Sequence, residues 1–210
     1  VSDNAVPAAR QAGDVVALLL NSPVVLNKGN KTYVDTENMD VYPFTENGRT
    51  LVPVRFISES FGAQVGWDEA TQSVTVNYAD KAISLQIGSN IMYVNGKTVV
   101  LDVPANTYNS RTLIPLRALV EALGKYVHWD DRGLIIIADT DAPFAPEAID
   151  RFIKALNVRV TADGKDLTFF ELDRDNYVLN VAPGAAVPQI GITTIGGEAV
   201  AATQANAVGE

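Results

Sequence analysis

Residues 49–68 read Arg49-Thr50-Leu51-Val52-Pro53-Val54-Arg55-Phe56-Ile57-Ser58-Glu59-Ser60-Phe61-Gly62-Ala63-Gln64-Val65-Gly66-Trp67-Asp68. Residues 111–130 read Arg111-Thr112-Leu113-Ile114-Pro115-Leu116-Arg117-Ala118-Leu119-Val120-Glu121-Ala122-Leu123-Gly124-Lys125-Tyr126-Val127-His128-Trp129-Asp130. The offset stays at 62 residues from Arg49/Arg111 to Asp68/Asp130. Arg, Thr, Leu, Pro, Arg, Glu, Gly, Val, Trp and Asp recur in register, and most other changes swap one apolar residue for another. Chance does not produce such a match, so the stretch reads as an internal duplication.

Each copy predicts the same local structure. Thr50-Leu51-Val52 is a short extended run, and Pro53 brings the fixed φ and missing N–H that suit a helix's first turn. Val54, Ile57 and Phe61 fall on one helical face, and Gly62 offers the left-handed residue that closes the helix. Val65-Gly66-Trp67 and Val74-Thr75-Val76 then read as paired strands. In the second copy Pro115, Leu116, Leu119, Leu123, Gly124, Val127 and Trp129 repeat the scheme, followed by a strand over Leu134–Ile137. Between the copies, Ala82–Ile87 alternates at period two, and Met92–Val94 and Thr98–Leu101 flank Asn95-Gly96, a type I′ hairpin signal. Ahead of the first copy, Val15–Leu20, Val24–Asn27 and Lys31–Val34 look like a strand meander.

Composition fits a folded chain: 210 residues, 47% hydrophobic and 20% charged. A net charge of −9 argues against nucleic acid or an anionic membrane as partner. No apolar run approaches the roughly 20 residues needed to cross a bilayer, so no membrane insertion is expected. Cysteine is absent, which excludes disulfides and thiolate chemistry. Starting at Val1 without an initiator Met, the chain reads as a mature or excised piece with any export signal upstream, and the lack of Cys fits an exported protein as well as a cytosolic one.

The run NGRTLVPVRFISESFGAQVGWD, followed by VNGK and RTLIPLRALVEALG…VHWDD, resembles the copper amine oxidase N-terminal-like domain, also called the stalk domain. The resemblance implies antiparallel strands wrapped around short helices. It also implies residence on secreted or surface proteins of Gram-positive bacteria, beside polysaccharide-degrading enzymes or surface-layer modules. Copper amine oxidases bind their metal through histidines of a different domain, and this chain has only His128, so neither copper nor quinone is carried over.

The last third differs. Thr140–Pro146 is a Pro-punctuated junction, and Glu147–Leu156 begins as a helical turn. Strand-like runs follow at Val158–Val160, Leu167–Phe170, Tyr177–Val181, Gln189–Thr194 and Ala199–Ala202, spaced as in a β-sandwich. The run DGKDLTFFELDRDNYVLNVAPGAAVPQI is similar to cadherin-like or immunoglobulin-like repeats, though shorter than a complete sandwich. The expected fold class is therefore α+β, with antiparallel strands packed on short helices in two internal repeats and an all-β sandwich-like C-terminal segment. The expected domains are a linker at 1–13, the duplicated stalk-like unit at 14–139, a linker at 140–146 and the sandwich-like segment at 147–210.

No nucleophile elbow, phosphate-binding glycine loop, HExxH or EF-hand pattern occurs. The recurring acids Glu59, Glu121, Asp68 and Asp130 appear once per copy, unlike the asymmetric carboxylate pair of a glycosidase. Arg55 and Glu59 lie four apart, as do Arg117 and Glu121, so ion pairing on the helix face or plain solvent exposure is the expected role. Trp67 and Trp129 each follow a Val at i−2, and burial in the core is the expectation; exposed, they would be sugar platforms. Tyr33, Tyr42, Tyr93, Tyr108 and Tyr126 are the better candidates for exposed aromatics. His128 reads as an ordinary, partly exposed strand residue. Asp139, Asp141, Asp173 and Asp175 could crowd a calcium ion at the domain junction or in the tail loop, although solvated acidic loops are the commoner outcome; no other cofactor is expected.

No catalytic, cofactor or metal residues are therefore assigned. Arg49, Pro53, Arg55, Glu59, Gly62, Trp67 and Asp68, with Arg111, Pro115, Arg117, Glu121, Gly124, Trp129 and Asp130, form a structural motif. The expected role is a non-catalytic spacer or interaction module of a larger secreted protein, its partners being the parent's other domains. A carbohydrate-binding module targeting a neighbouring polysaccharide lyase or glycoside hydrolase is the alternative, with a free-standing hydrolase third.

Overall fold

The computed structural model describes residues 15–166, 186 and 188–194. Strands β1 (Val16–Leu19), β2 (Val24–Asn27) and β3 (Asn30–Tyr33) lead to β4 (Phe44–Glu46), β5 (Arg49–Pro53), helix α1 (Val54–Ser60), β6 (Gln64–Asp68) and β7 (Ser73–Tyr78). The order then recurs: β8 (Lys81–Gln86), β9 (Ile91–Val94), β10 (Lys97–Val100), β11 (Asn106–Tyr108), β12 (Arg111–Pro115), α2 (Leu116–Leu123), β13 (Tyr126–Asp130) and β14 (Leu134–Ala138). After these come α3 (Pro146–Asn157), β15 (Val158–Ala162), β16 (Lys165–Asp166) and β17 (Ile190–Thr194). The protein is thus mostly antiparallel β-sheet with three short helices among the described residues, an α+β architecture.

Three sheets carry the first fourteen strands. A first sheet has the order β13-β14-β1-β2-β3, a second β10-β9-β8-β7-β6, and a bridging sheet β11-β12-β5-β4. The strands of each half complete the other half's sheet: β1 pairs with β14, and β7 with β8. In the bridging sheet β5 and β12 meet symmetrically, Leu113 opposite Pro53, Ile114 opposite Val52 and Pro115 opposite Leu51. Loop bonds match in the same way. Asn21 N–H reaches the Pro43 carbonyl at 2.8 Å and Gly88 N–H the Ala105 carbonyl at 2.7 Å. Leu20 donates to Gly133 at 3.0 Å, and Ile87 to Gln72 at 2.9 Å.

Turn chemistry explains the hairpins. Asn95-Gly96 (φ 50°, 75°) joins β9 to β10, and Lys28-Gly29 (φ 51°, 80°) joins β2 to β3, both with the paired positive φ of a type I′ turn. The main core lies between the two five-stranded sheets. Val16, Leu18, Ile135 and Ile137 face Val74, Val76, Ile83 and Leu85, with Ile57 of α1 and Leu119 of α2 among them. β14 is buried along its whole length because its other face is covered as well. There α3 sets Phe152, Ala155 and Leu156 against Val15, Ala17, Leu26, Leu134 and Ile136.

Beyond α3, β15 pairs with β16 and β17 in a small antiparallel sheet. The strand-like runs at 167–170, 177–181 and 199–202, and the linker at 1–13, lie outside the described residues.

Candidate functional site

The recurring arginines join the two halves. Arg49 Nε lies 2.5 Å from Asp102 Oδ2, and Arg111 Nε lies 2.5 Å from Asp35 Oδ2. Asp35 directly follows β3 by two residues and Asp102 follows β10 by two, so each half lends its carboxylate to the other half's arginine. The surroundings differ: the Asp35 side chain is 12% exposed, that of Asp102 63%. Burial pushes the Asp35 pKa up, but N–H donors of Glu37 (2.9 Å) and Asn38 (3.1 Å) and the Arg111 guanidinium outweigh it, so the carboxyl is held below its ordinary value. The recurring arginines were legible in the sequence but their partners were missed; the signal was an apolar–Asp pair, Val34-Asp35 and Leu101-Asp102, after each hairpin.

Pro53 and Pro115 are the N-caps of α1 and α2, and both are extended in ψ. Arg55 Nη1 lies 3.4 Å from Glu59 Oε1, an exposed i,i+4 pair. The matching pair does not form: among the described residues neither Arg117 nor Glu121 has a side-chain ion-pair partner. They line, with Lys125, Tyr126 and Asp141, a shallow cleft of about 440 Å³ between α2 and β13. Lys125 is already engaged there. Its Nζ sits 2.5 Å from Asp139 Oδ1 and 5.0 and 5.1 Å over the rings of Phe61 and Tyr78. Burial lowers its pKa, but Asp139 and Tyr78 raise it further, and the net displacement is upward. Gly62 (φ 88°) and Gly124 (φ 72°) follow their helices in the left-handed region, where L side chains are strained.

Trp67 and Trp129 are not core residues: they are 44% and 46% exposed. The sequence phase was right, since Trp67 pairs with buried Val74 and Trp129 with buried Ile135, on the core-facing side. Position in the sheet overturns the burial expectation. Among the described residues β6 and β13 are edge strands, so one flank of each indole has no neighbouring strand there to cover it. Asp68 accepts the N–H groups of Ala70 (2.9 Å) and Thr71 (3.3 Å), and Asp130 that of Arg132 (3.0 Å). Asp68 is held below its ordinary pKa by Thr71 and Ala70, and Asp130 by Arg132.

Of the five tyrosines, Tyr93, Tyr108 and Tyr126 are exposed, whereas Tyr33 and Tyr42 are half-buried. Tyr108 leans on Phe44 at 4.6 Å between ring centroids. His128 is half-buried, with Nε2 3.3 Å from the Thr140 carbonyl and its ring edge-on to Phe144 at 4.9 Å. A histidine-built copper centre does not fit a chain with one histidine held in this way. Among the described residues no three His, Cys, Asp or Glu side chains gather to hold a metal; Asp173 and Asp175 lie outside them.

A family model described as copper amine oxidase N-terminal domain matches residues 27–137. No curated protein matches the chain.

Proposed function

The chain belongs to the copper amine oxidase N-terminal domain family, and from that premise we propose a non-catalytic role. Residues 15–138 act as a spacer and interaction module of a larger secreted protein, holding a neighbouring catalytic or surface-anchoring domain in place. The observation that carries this reading is where the recurring charges go: Arg49 and Arg111 tie the halves together, Asp68 and Asp130 cap their own turns, and Arg55 pairs with Glu59. The displaced carboxyl groups Asp35, Asp68 and Asp130 all move downward and Lys125 moves upward. A general acid or a catalytic lysine needs the opposite displacement.

In this reading the halves arose by duplication of one unit that exchanges its strands, each half completing the other's sheet. The parent is a polysaccharide-degrading enzyme of a Gram-positive bacterium, its surroundings extracellular, in keeping with a cysteine-free chain of net charge −9. The test is a turnover assay of the isolated chain on plant and bacterial polysaccharides and on amines, with deletion of the segment from its parent. No turnover is expected, while the deletion alters targeting or surface display more than hydrolysis of small soluble substrates. Sustained release of reducing ends, abolished by Glu59→Gln or Glu121→Gln, would overturn the reading.

A second reading, a carbohydrate-binding module, is favoured by the open aromatics: Trp67, Trp129, Tyr93 and Tyr126 are all between 44% and 46% exposed. Aromatic faces accept the apolar C–H face of a sugar ring, and binding to immobilised glycans separates this reading from a pure spacer.

A further inference from the structure

The outward rows of the two five-stranded sheets occupy matching positions and have opposite chemistry. In the first sheet, pairing aligns His128, Ile136, Ala17, Leu26 and Lys31 across β13, β14, β1, β2 and β3. Helix α3 covers that row. Ile136, Ala17 and Leu26 are buried against Phe152 and Leu156, and Lys31 Nζ donates to the Ala155 carbonyl at 2.9 Å. In the second sheet, the matching row is Gly66, Thr75, Ser84, Tyr93 and Thr98 across β6 to β10. Gly66, Thr75, Tyr93 and Thr98 are exposed and Ser84 is half-buried. Tyr93, 46% exposed, stands where Leu26 stands in the covered row.

Strands lie about 4.8 Å apart, so the row runs roughly 19 Å from Gly66 to Thr98 and carries the small hydroxyl side chains of Thr75, Ser84 and Thr98. A Cβ on Gly66 would come within 2.7 Å of Thr75 Oγ1, so the glycine leaves that hydroxyl its place at the edge. Gly66, Thr75 and Ser84 keep the surface low, and Tyr93 rises beside them. None of the five side chains is charged, in a chain whose net charge of −9 opposes anionic polymers. The row also lacks the continuous apolar stripe that an amphipathic helix such as α3 requires.

We infer that this row is a binding face for a neutral polysaccharide. Tyr93 stacks on the apolar face of one sugar ring, while the hydroxyls of Thr75, Ser84 and Thr98 exchange hydrogen bonds with those of the chain. The inference rests on the carbohydrate-binding reading and assigns the contact to this row rather than to Trp67 or Trp129. It is tested by affinity electrophoresis of the full chain in neutral glucans, xylans and mannans, with an anionic pectin alongside. Binding to at least one neutral polymer is expected, weakened about tenfold by Tyr93→Ala. Thr75→Val should weaken it too, with circular dichroism confirming each fold. Binding that survives Tyr93→Ala and Thr75→Val but is lost in Trp67→Ala or Trp129→Ala overturns the assignment to this row and leaves the carbohydrate reading standing. Binding to pectin alone overturns the neutral-polymer inference and leaves the carbohydrate reading standing, and absence of binding to every polymer overturns both.

Discussion

Asp35 and Asp102 hold matching arginines in unlike surroundings, and that difference sets what each is worth. Asp35 is 12% exposed and also accepts two backbone N–H groups, so Asp35→Asn should cost about 1–3 kcal/mol. Asp102 and Arg49 are 63% and 51% exposed, and Asp102→Asn should cost less than about 1 kcal/mol. The pH dependence follows from the depressed Asp35 pKa. Its contribution is full above the unfolded value of about 3.9 and is lost as pH falls through the lower, folded value. Melting curves should therefore separate wild type from Asp35→Asn near neutrality and converge in acid; a gap that stays constant would remove Asp35 from the account. Ser58 provides a second residue-scale test. Its hydroxyl is buried without a hydrogen-bond partner among the described residues, at the position where the other helix carries Val120. Ser58→Ala should be neutral or stabilising by about 1 kcal/mol, since no bond is lost and an unsatisfied group is removed. Such contrasts are invisible in the sequence, where Arg49 and Arg111 are simply the same letter.

Among the elements, α3 turns the outward face of the first sheet into a second core. Phe152 is 1% exposed between Ala17, Leu26 and Ile136, so Phe152→Ala should cost about 3–5 kcal/mol by chemical denaturation. A cost near zero would mean that α3 is not held on the sheet. The helices, the Asn95-Gly96 hairpin and the strands of the recurring motif were legible because proline, glycine and period-two signals act locally. Strand exchange was not. β1–β3 and β8–β10 share little sequence, and the connection over residues 34–43 is longer than that over 101–105, which shifts the offset and hides the correspondence. The tryptophans failed for a related reason: period two gives the side of a strand a residue faces, but not whether that strand ends the sheet. Only pairing reveals that β6 and β13 are edges.

At the scale of the whole molecule, the exchange of strands decides how residues 15–138 respond to being cut. Two halves folding side by side would each keep their own sheet, and severing the connection would free them. Here β1 is bonded to β14 from Val16–Ile137 to Leu19–Leu134, and β7 to β8 from Ser73–Gln86 to Tyr78–Lys81. β5 meets β12 between them, and the Arg49–Asp102 and Arg111–Asp35 pairs cross the same boundary. The covalent link between the halves is the exposed turn at Ala79-Asp80, where Ala79 has φ 50°. A protease site placed in that turn and cut after folding should leave both fragments associated through three sheets and a shared core. Gel filtration under native conditions should return a single species of unchanged size, and denaturant should separate the fragments in one cooperative step. The midpoint should fall with dilution, because association has become bimolecular. Two species eluting separately without denaturant would contradict strand exchange. A cut chain that stays whole would place the integrity of this module in its topology rather than in the turn itself.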